Sequence, residues 1–405
     1  MKKIMMSAIA LSAIMGSAST VSAADGINVL DGVKLNGQIR PRYEYADVDN
    51  NDKDAGQALT TRIKLNASSN LFGVDGLNAN VGLIGVYDTG WTSENGFMNG
   101  GQNDKIVDPS AAMLSNLEAT YTIDKTTLHA GRGQVNLDNQ RFIGTVGWRQ
   151  LERSYDTLFV ANNSVKDLNL LAAWVYGFEG VAGTATNDTN SILLHGSYKA
   201  MDALTVTAYA YMLASINDTY GVAATGKFNA VDTKFNYRAE FAMQSDATME
   251  IHDAEANADA MYMNFDLGAN ISGILLGANY EFQSGADGSD TAFITPLGTN
   301  HKFNGWADAF LSNTSHNNGL IDMNARVGYK AKGFGKVLGV FHKFDADTGS
   351  NTDLGSEFDA LYANKIPGLN NVTGLVKMAY YMAGETGSGH EQDITKAWVQ
   401  LNYKF

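Results

Sequence analysis

From Val33 the residues Val33, Leu35, Gly37, Ile39, Pro41, Tyr43 and Tyr45 alternate with Lys34, Asn36, Gln38, Arg40, Arg42 and Glu44, so one extended segment has an apolar face and a charged face. The period of two returns at Leu204, Val206, Ala208, Ala210 and Met212 against Thr205, Thr207, Tyr209 and Tyr211. It returns at Phe235, Tyr237, Ala239 and Phe241 against Lys234, Asn236, Arg238 and Glu240. The last segment sets Thr395, Ala397, Val399, Leu401, Tyr403 and Phe405 against Lys396, Trp398, Gln400, Asn402 and Lys404. In a soluble sandwich or propeller the charged face would meet water; in a membrane barrel the apolar face meets lipid and the charged face lines a lumen. Periodicity does not separate the two, but segment length does. Runs of about 10 to 14 residues suit a tilted membrane strand, whereas strands of soluble sheets run about 5 to 6.

Aromatic residues close the apolar faces at Tyr43/Tyr45, Tyr87/Trp91 and Tyr403/Phe405, where a membrane barrel carries its girdles. The reading is an all-β fold: one transmembrane antiparallel β-barrel. Strands are expected at about 33–46, 58–70, 77–89, 115–123, 126–132, 154–161, 168–176, 190–198, 204–214, 219–228, 233–244, 259–270, 274–284, 319–330, 336–344, 356–365, 372–383 and 394–405. These eighteen let short turns such as Asp124-Lys125 and Ile271-Ser272-Gly273 alternate with long loops such as 90–114, 133–153, 245–258 and 285–318. Phe303 to Leu311 also alternates; counting it as a strand would move the acidic stretch 345–355 to the short-turn side, so it is read as loop.

Composition narrows the chemistry. With 405 residues and no Cys, disulfides, thiolate metal sites and cysteine nucleophiles are excluded. Lys2 and Lys3, the apolar run Ile4 to Met15 and Val21-Ser22-Ala23 before Ala24 read as a secretory signal over 1–23, with the barrel at 24–405. Loss of Lys2 and Lys3 takes the formal charge from −14 to −16, which argues against nucleic acid as a partner. Asp47, Asp49, Asp52 and Asp54 crowd one loop, Asp246, Glu250, Asp253, Glu255 and Asp259 a second, and Asp345, Asp347 and Asp353 a third. Solvated surface is the plainer reading of these clusters and Ca²⁺ or lipopolysaccharide-bridging cations the sharper one, but Asp47 to Asp54 lacks the Gly and terminal Glu of an EF-hand, and no metal or cofactor is expected.

Most of the nine Arg lie elsewhere. Arg40, Arg42, Arg62, Arg238 and Arg326 fall on polar faces, and Arg141, Arg149 and Arg153 in the loop 133–153 or at its end. Salt bridging to Glu44, Glu118 and Glu240 and a role in conduction are both open to them. Arg132 has the parity of the lipid face, which places it at the membrane edge or after a bulge. The loop 133–153 carries Phe142, Ile143, Val146 and Trp148 and few acids, so it should fold into the barrel, with Gly144 and Gly147 letting its backbone approach the wall. Phe303 to Phe310, with Trp306 and Asp308, is either a cap over the mouth or a second constriction.

The run Gly131 to Gln150 (GRGQVNLDNQRFIGTVGWRQ) resembles the signature of the alginate-export family of outer-membrane porins. Secondary matches are Tyr237 to Phe241, Gly305 to Phe310, Phe344 to Asp347 and Trp398 to Phe405, whose terminal Phe405 resembles the assembly signal of such barrels. The resemblance implies an eighteen-stranded barrel with a narrow, Arg-lined path. By position, Arg141 and Arg149 belong to that constriction, with Arg40, Arg42, Arg62, Arg238 and Arg326 around it and Asp138, Gln140 and Trp148 on its loop. The chain is short for an exporter. The function expected is passive passage of small hydrophilic, anionic solutes, with a dedicated exporter of an anionic polysaccharide such as alginate as the alternative. A Sec-exported protein of the Gram-negative outer membrane would further meet lipid, lipopolysaccharide and the assembly machinery, as a monomer or trimer. The seven His lack any Ser/His/Asp context, so no enzyme is expected.

Overall fold

In the computed structural model, which describes residues 29–49, 52–90, 103–183, 186–247, 259–286, 291–311, 317–385 and 389–405, the period-two segments form eighteen strands. The signal-peptide reading, Trp91, Glu250, Asp253 and Glu255 lie outside these residues. The first nine strands are β1 (Leu30–Val48), β2 (Gly56–Leu71), β3 (Leu77–Asp88), β4 (Ala111–Ile123), β5 (Thr126–Gly133), β6 (Ser154–Asn162), β7 (Leu168–Glu179), β8 (Asn187–Met201) and β9 (Leu204–Leu213). The rest are β10 (Asn217–Ala230), β11 (Thr233–Ser245), β12 (Ala260–Ile271), β13 (Ile274–Gln283), β14 (Leu320–Ala331), β15 (Gly335–Asp345), β16 (Asp353–Lys365), β17 (Val372–Met382) and β18 (Ile394–Lys404). Each pairs antiparallel with its neighbours in sequence, and β1 pairs with β18, so the sheet closes.

Closure removes every sheet edge, the condition for placing strands in hydrocarbon, where an unpaired N–H or C=O costs several kcal/mol. Parity then sorts the side chains as expected. Arg40, Arg42 and Glu44 are buried inside, whereas Ile39, Ile63, Phe265, Val327 and Val399 point outward and are exposed. All connections at the end where β1 begins and β18 finishes are short; at Ser272-Gly273 both residues have positive φ (50° and 97°), as a two-residue hairpin turn requires. The long connections lie at the other end. Arg132 sits at the outward edge of β5, paired with Asp156 (2.7 Å) and Glu179 (2.6 Å), and a register shift between Asp156 and Thr157 lies in the next strand.

The seam is locked by one close approach. Phe405 N–H donates to the Gly37 carbonyl (3.1 Å), and Gly37 N–H to the Phe405 carbonyl (2.8 Å). A Cβ at Gly37 would lie 2.4 Å from the Phe405 ring, so only glycine lets that ring lie over β1. Removing Phe405, or substituting Gly37→Val, should lower the yield of heat-modifiable, folded barrel, read as the gel-mobility difference between boiled and unboiled samples. Wild-type yields for both variants would show that the ring has no part in closure.

Candidate solute passage

Two loops leave the long-loop end and turn into the lumen. In the 134–153 loop Val135, Phe142 and Ile143 are buried against the luminal Tyr155, Val175, Leu193, Tyr209, Tyr211 and Tyr262, with Phe293 and Leu297 of the β13–β14 connection completing the cluster. The Phe142 ring lies 5.3 Å from those of Tyr209 and Tyr262. Further along the second loop, Ala307 and Phe310 bury against Phe344, Leu354 and Tyr381. Each such large side chain taken from water contributes about 1.5–3 kcal/mol, enough to hold a loop inward. The apolar residues of 303–311 thus pack on inward-facing residues at the long-loop ends of β15 to β17, at the mouth of the barrel.

The loops also bond to each other. Gly144 N–H donates to the Leu297 carbonyl and Thr299 N–H to the Gln140 carbonyl, both at 2.9 Å. A Cβ on Gly144 would lie 2.3 Å from Thr299 Oγ1, so Gly144 lies close against the second loop, and it also meets the wall, its carbonyl accepting from the Tyr155 hydroxyl of β6 at 2.8 Å. Gly147 meets the wall too, its carbonyl accepting from Arg40 at 3.0 Å. Val146 holds φ 54°, a costly conformation for a β-branched residue that the paired loops enforce.

Five of the expected arginines fasten these loops. Arg141 is fully buried, with Glu281 at 2.6 Å and Asn304 Oδ1 at 2.9 Å. Arg149 pairs with Glu44 (2.9 Å) and Asp308 (3.1 Å). Arg40 donates to Gln150 Oε1 (2.9 Å) and to the Gly147 and Arg149 carbonyls; Arg42 donates to Gln400 Oε1 (2.7 Å) and the Trp148 carbonyl; Arg62 bonds Glu152. Of the three loop residues, Asp138 accepts from His195 (3.1 Å), Gln140 joins the loops through its carbonyl, and Trp148 stacks on His301 at 4.8 Å between centroids.

Arg238 and Arg326 lie apart from that group. They line a polar cavity of about 370 Å³ between the loop residues Asn139, Lys302, Phe303 and Trp306 and the wall residues Asn264, Asp266, Asn279 and Asn324. Strand register sets the wall: Asp266 faces Asn279 and Asn279 faces Asn324 on adjacent strands, one luminal row of hydrogen-bonding groups. Arg326 pairs with Asp266 (2.6 Å) and Arg238 with Glu240 (2.7 Å). Lys302 is exposed to the cavity and donates to the Asn139 carbonyl at 2.8 Å. Glu281 and Asp322 line it too, but each is only 2% exposed. Sequence reasoning missed Lys302, Asn279, Asn324 and Glu281; the polar-face parity of the last three was their signal, whereas Lys302 had none. Among the described residues no group of three or more His, Asp or Glu is arranged to hold a metal ion.

Charge fixes the state of the second loop. Burial, reinforced by the Lys377 and Arg149 charges, pushes His301 down to about 3 despite Asp308, so its ring is neutral and accepts from Lys377 at Nε2 (2.7 Å). Burial would raise Asp308, but His301, Lys396 and Arg149 hold it well below the carboxylate range. A histidine whose seated value lies below its ordinary 6.5 stabilises the seated loop fully above 6.5 and progressively less as pH falls toward 3. Asp308, being depressed, stays ionised across that window. Single-channel conductance should therefore rise as pH falls below about 6.5, and His301→Gln should flatten the dependence. Arg141→Met strands the buried Glu281 carboxylate and should weaken the loop seat by about 3–5 kcal/mol, seen as noisier open-channel current, with Arg141→Met/Glu281→Leu restoring quiet openings.

No protein-family model and no curated relative matches the chain. Solved structures do. It is similar to Pseudomonas aeruginosa OccK1 (OpdK), with TM-score 0.73 and 11% identity, covering 93% of this chain and 99% of that one. It is similar to P. aeruginosa OccK9 (OpdG), with TM-score 0.72 and 16% identity over 92% and 98% of the two chains, and to Acinetobacter baumannii OccAB4, with TM-score 0.72 and 14% identity over 93% and 98%. At these identities the likeness lies in the fold, and the fold this chain shares with the Occ/Opd proteins is an eighteen-stranded barrel.

Proposed function

We propose that this protein is an outer-membrane channel through which small hydrophilic solutes, anions by preference, diffuse down their gradients. One observation carries the preference: Lys302 and Arg326 reach the cavity while Glu281 and Asp322 are withdrawn to 2% exposure, leaving Asp266 as the accessible carboxylate beside Arg326. A cation at the narrow point acts at short range in a medium less screening than water, while the net negative charge elsewhere is screened beyond about 8 Å. Arg141 and Arg149 act on the constriction by holding the loop that forms it. The outer-membrane barrel OpdK and its Occ relatives support the location by likeness of fold. Export by a signal at 1–23, contact with lipopolysaccharide, delivery by the assembly machinery and a monomeric or trimeric state belong to the same reading.

The resemblance of 131–150 to the alginate-export signature supplies a second reading, export of an anionic polysaccharide. A constriction built of two loops bonded together favours the small-solute reading.

Replacing Lys302 and Arg326 together by Glu should move the reversal potential in a salt gradient toward cation preference, whereas Lys53→Glu in an outer loop should leave it in place. A wild-type channel that already prefers cations would defeat the proposal.

A further inference from the structure

We propose that Lys377, a residue of the wall that does not line the cavity, sets the width of the passage by holding both inward loops down at once. The inference rests on the channel reading above and adds a positioning residue to it. The Lys377 ammonium lies 4.1 Å from the Trp148 ring centroid, 4.1 Å from that of Trp306 and 5.0 Å from that of Trp398, and it donates to His301 Nε2 at 2.7 Å. Trp148 belongs to the 134–153 loop, His301 and Trp306 to the second loop, and Trp398 to β18. Lys377 is buried, and the carboxylates acting on it, Asp308 and Asp359, do so without an ion pair within 4 Å.

A desolvated ammonium draws its stabilisation from whatever faces it, and the attraction to an indole face is strongest when water is excluded. Of the four groups around Lys377, three arrive on loops. If either loop lifts, the ammonium loses part of its cage, and if both lift it keeps Trp398 alone. The cation therefore couples the loops: neither seat is complete without the other. Among the described residues the Trp148 and Trp398 indole N–H groups find no hydrogen-bond acceptor, so these rings are held by their faces. Arg42 covers Trp148 as well, 4.2 Å from its centroid, bracing the cage from β1. The consequence reaches the solute through Trp306, which both closes the cage and lines the cavity.

The test is single-channel recording and liposome swelling with neutral sugars of increasing size, on the full barrel after heat-modifiability confirms folding. Lys377→Met, which keeps length and removes charge, should raise conductance about twofold or more and admit larger sugars, because conduction follows the width of the constriction. Lys377→Arg, which keeps a cation over the indoles, should restore most of the wild-type cut-off. Wild-type conductance and cut-off in a folded Lys377→Met barrel would overturn the inference while leaving the wild-type anion preference, and so the channel reading, untouched. Should Lys377→Met fail to fold, Trp148→Leu, Trp306→Leu and their double variant decide. Coupling predicts that the double departs from the sum of the two singles, and independent, additive effects would overturn it.

Discussion

Strand β1 must pair with strand β18, because in hydrocarbon no water is present to satisfy the backbone of a free edge. Everything else follows from that closure. It turns the alternation of each strand into an inside and an outside, makes the apolar face the surface, and leaves the polar face to line a space that the protein must then manage. Gly37 shows how tightly the seam is specified: the ring of Phe405 occupies the place a side chain would take.

The lumen is managed by burying charge against charge. Arg40, Arg42, Arg62, Arg141 and Arg149 meet carboxylates and loop carbonyls, so the same cations that make the wall polar become the seats of two loops. Such pairs add little net stability over apolar packing, but losing one partner is expensive. The seats are therefore directional, and they specify where each loop lies. The apolar clusters under Phe142 and Phe310 provide the attraction that the ion pairs aim.

The strands were legible because a period of two is local: eighteen segments, their alternating connections and the luminal side of each could be read residue by residue, even for the short β5 and the Gly-diluted β10. The loop 134–153 was legible as inward from Phe142, Ile143 and Trp148. Partnership was not legible, because it joins distant residues. Arg141 finds Glu281 140 positions away, and Arg42 finds Gln400 358 positions away. The segment 303–311 had an alternating pattern that fitted either a cap or a constriction, and its packing depends on Phe344 and Tyr381, which no local pattern announces. Parity could mark Lys377 as luminal but could not bring three indoles around it.

The dependence of the loop seats on the last strand orders events in time. Trp398 and Gln400 stand on β18, the strand whose pairing with β1 closes the sheet, and they receive Trp148 and Arg42. Until that strand is in place, the first loop lacks part of its footing and the lumen is wider than in the finished protein. Narrowing is thus the closing act of folding, and a barrel stalled short of it would be a leak across the membrane that holds it.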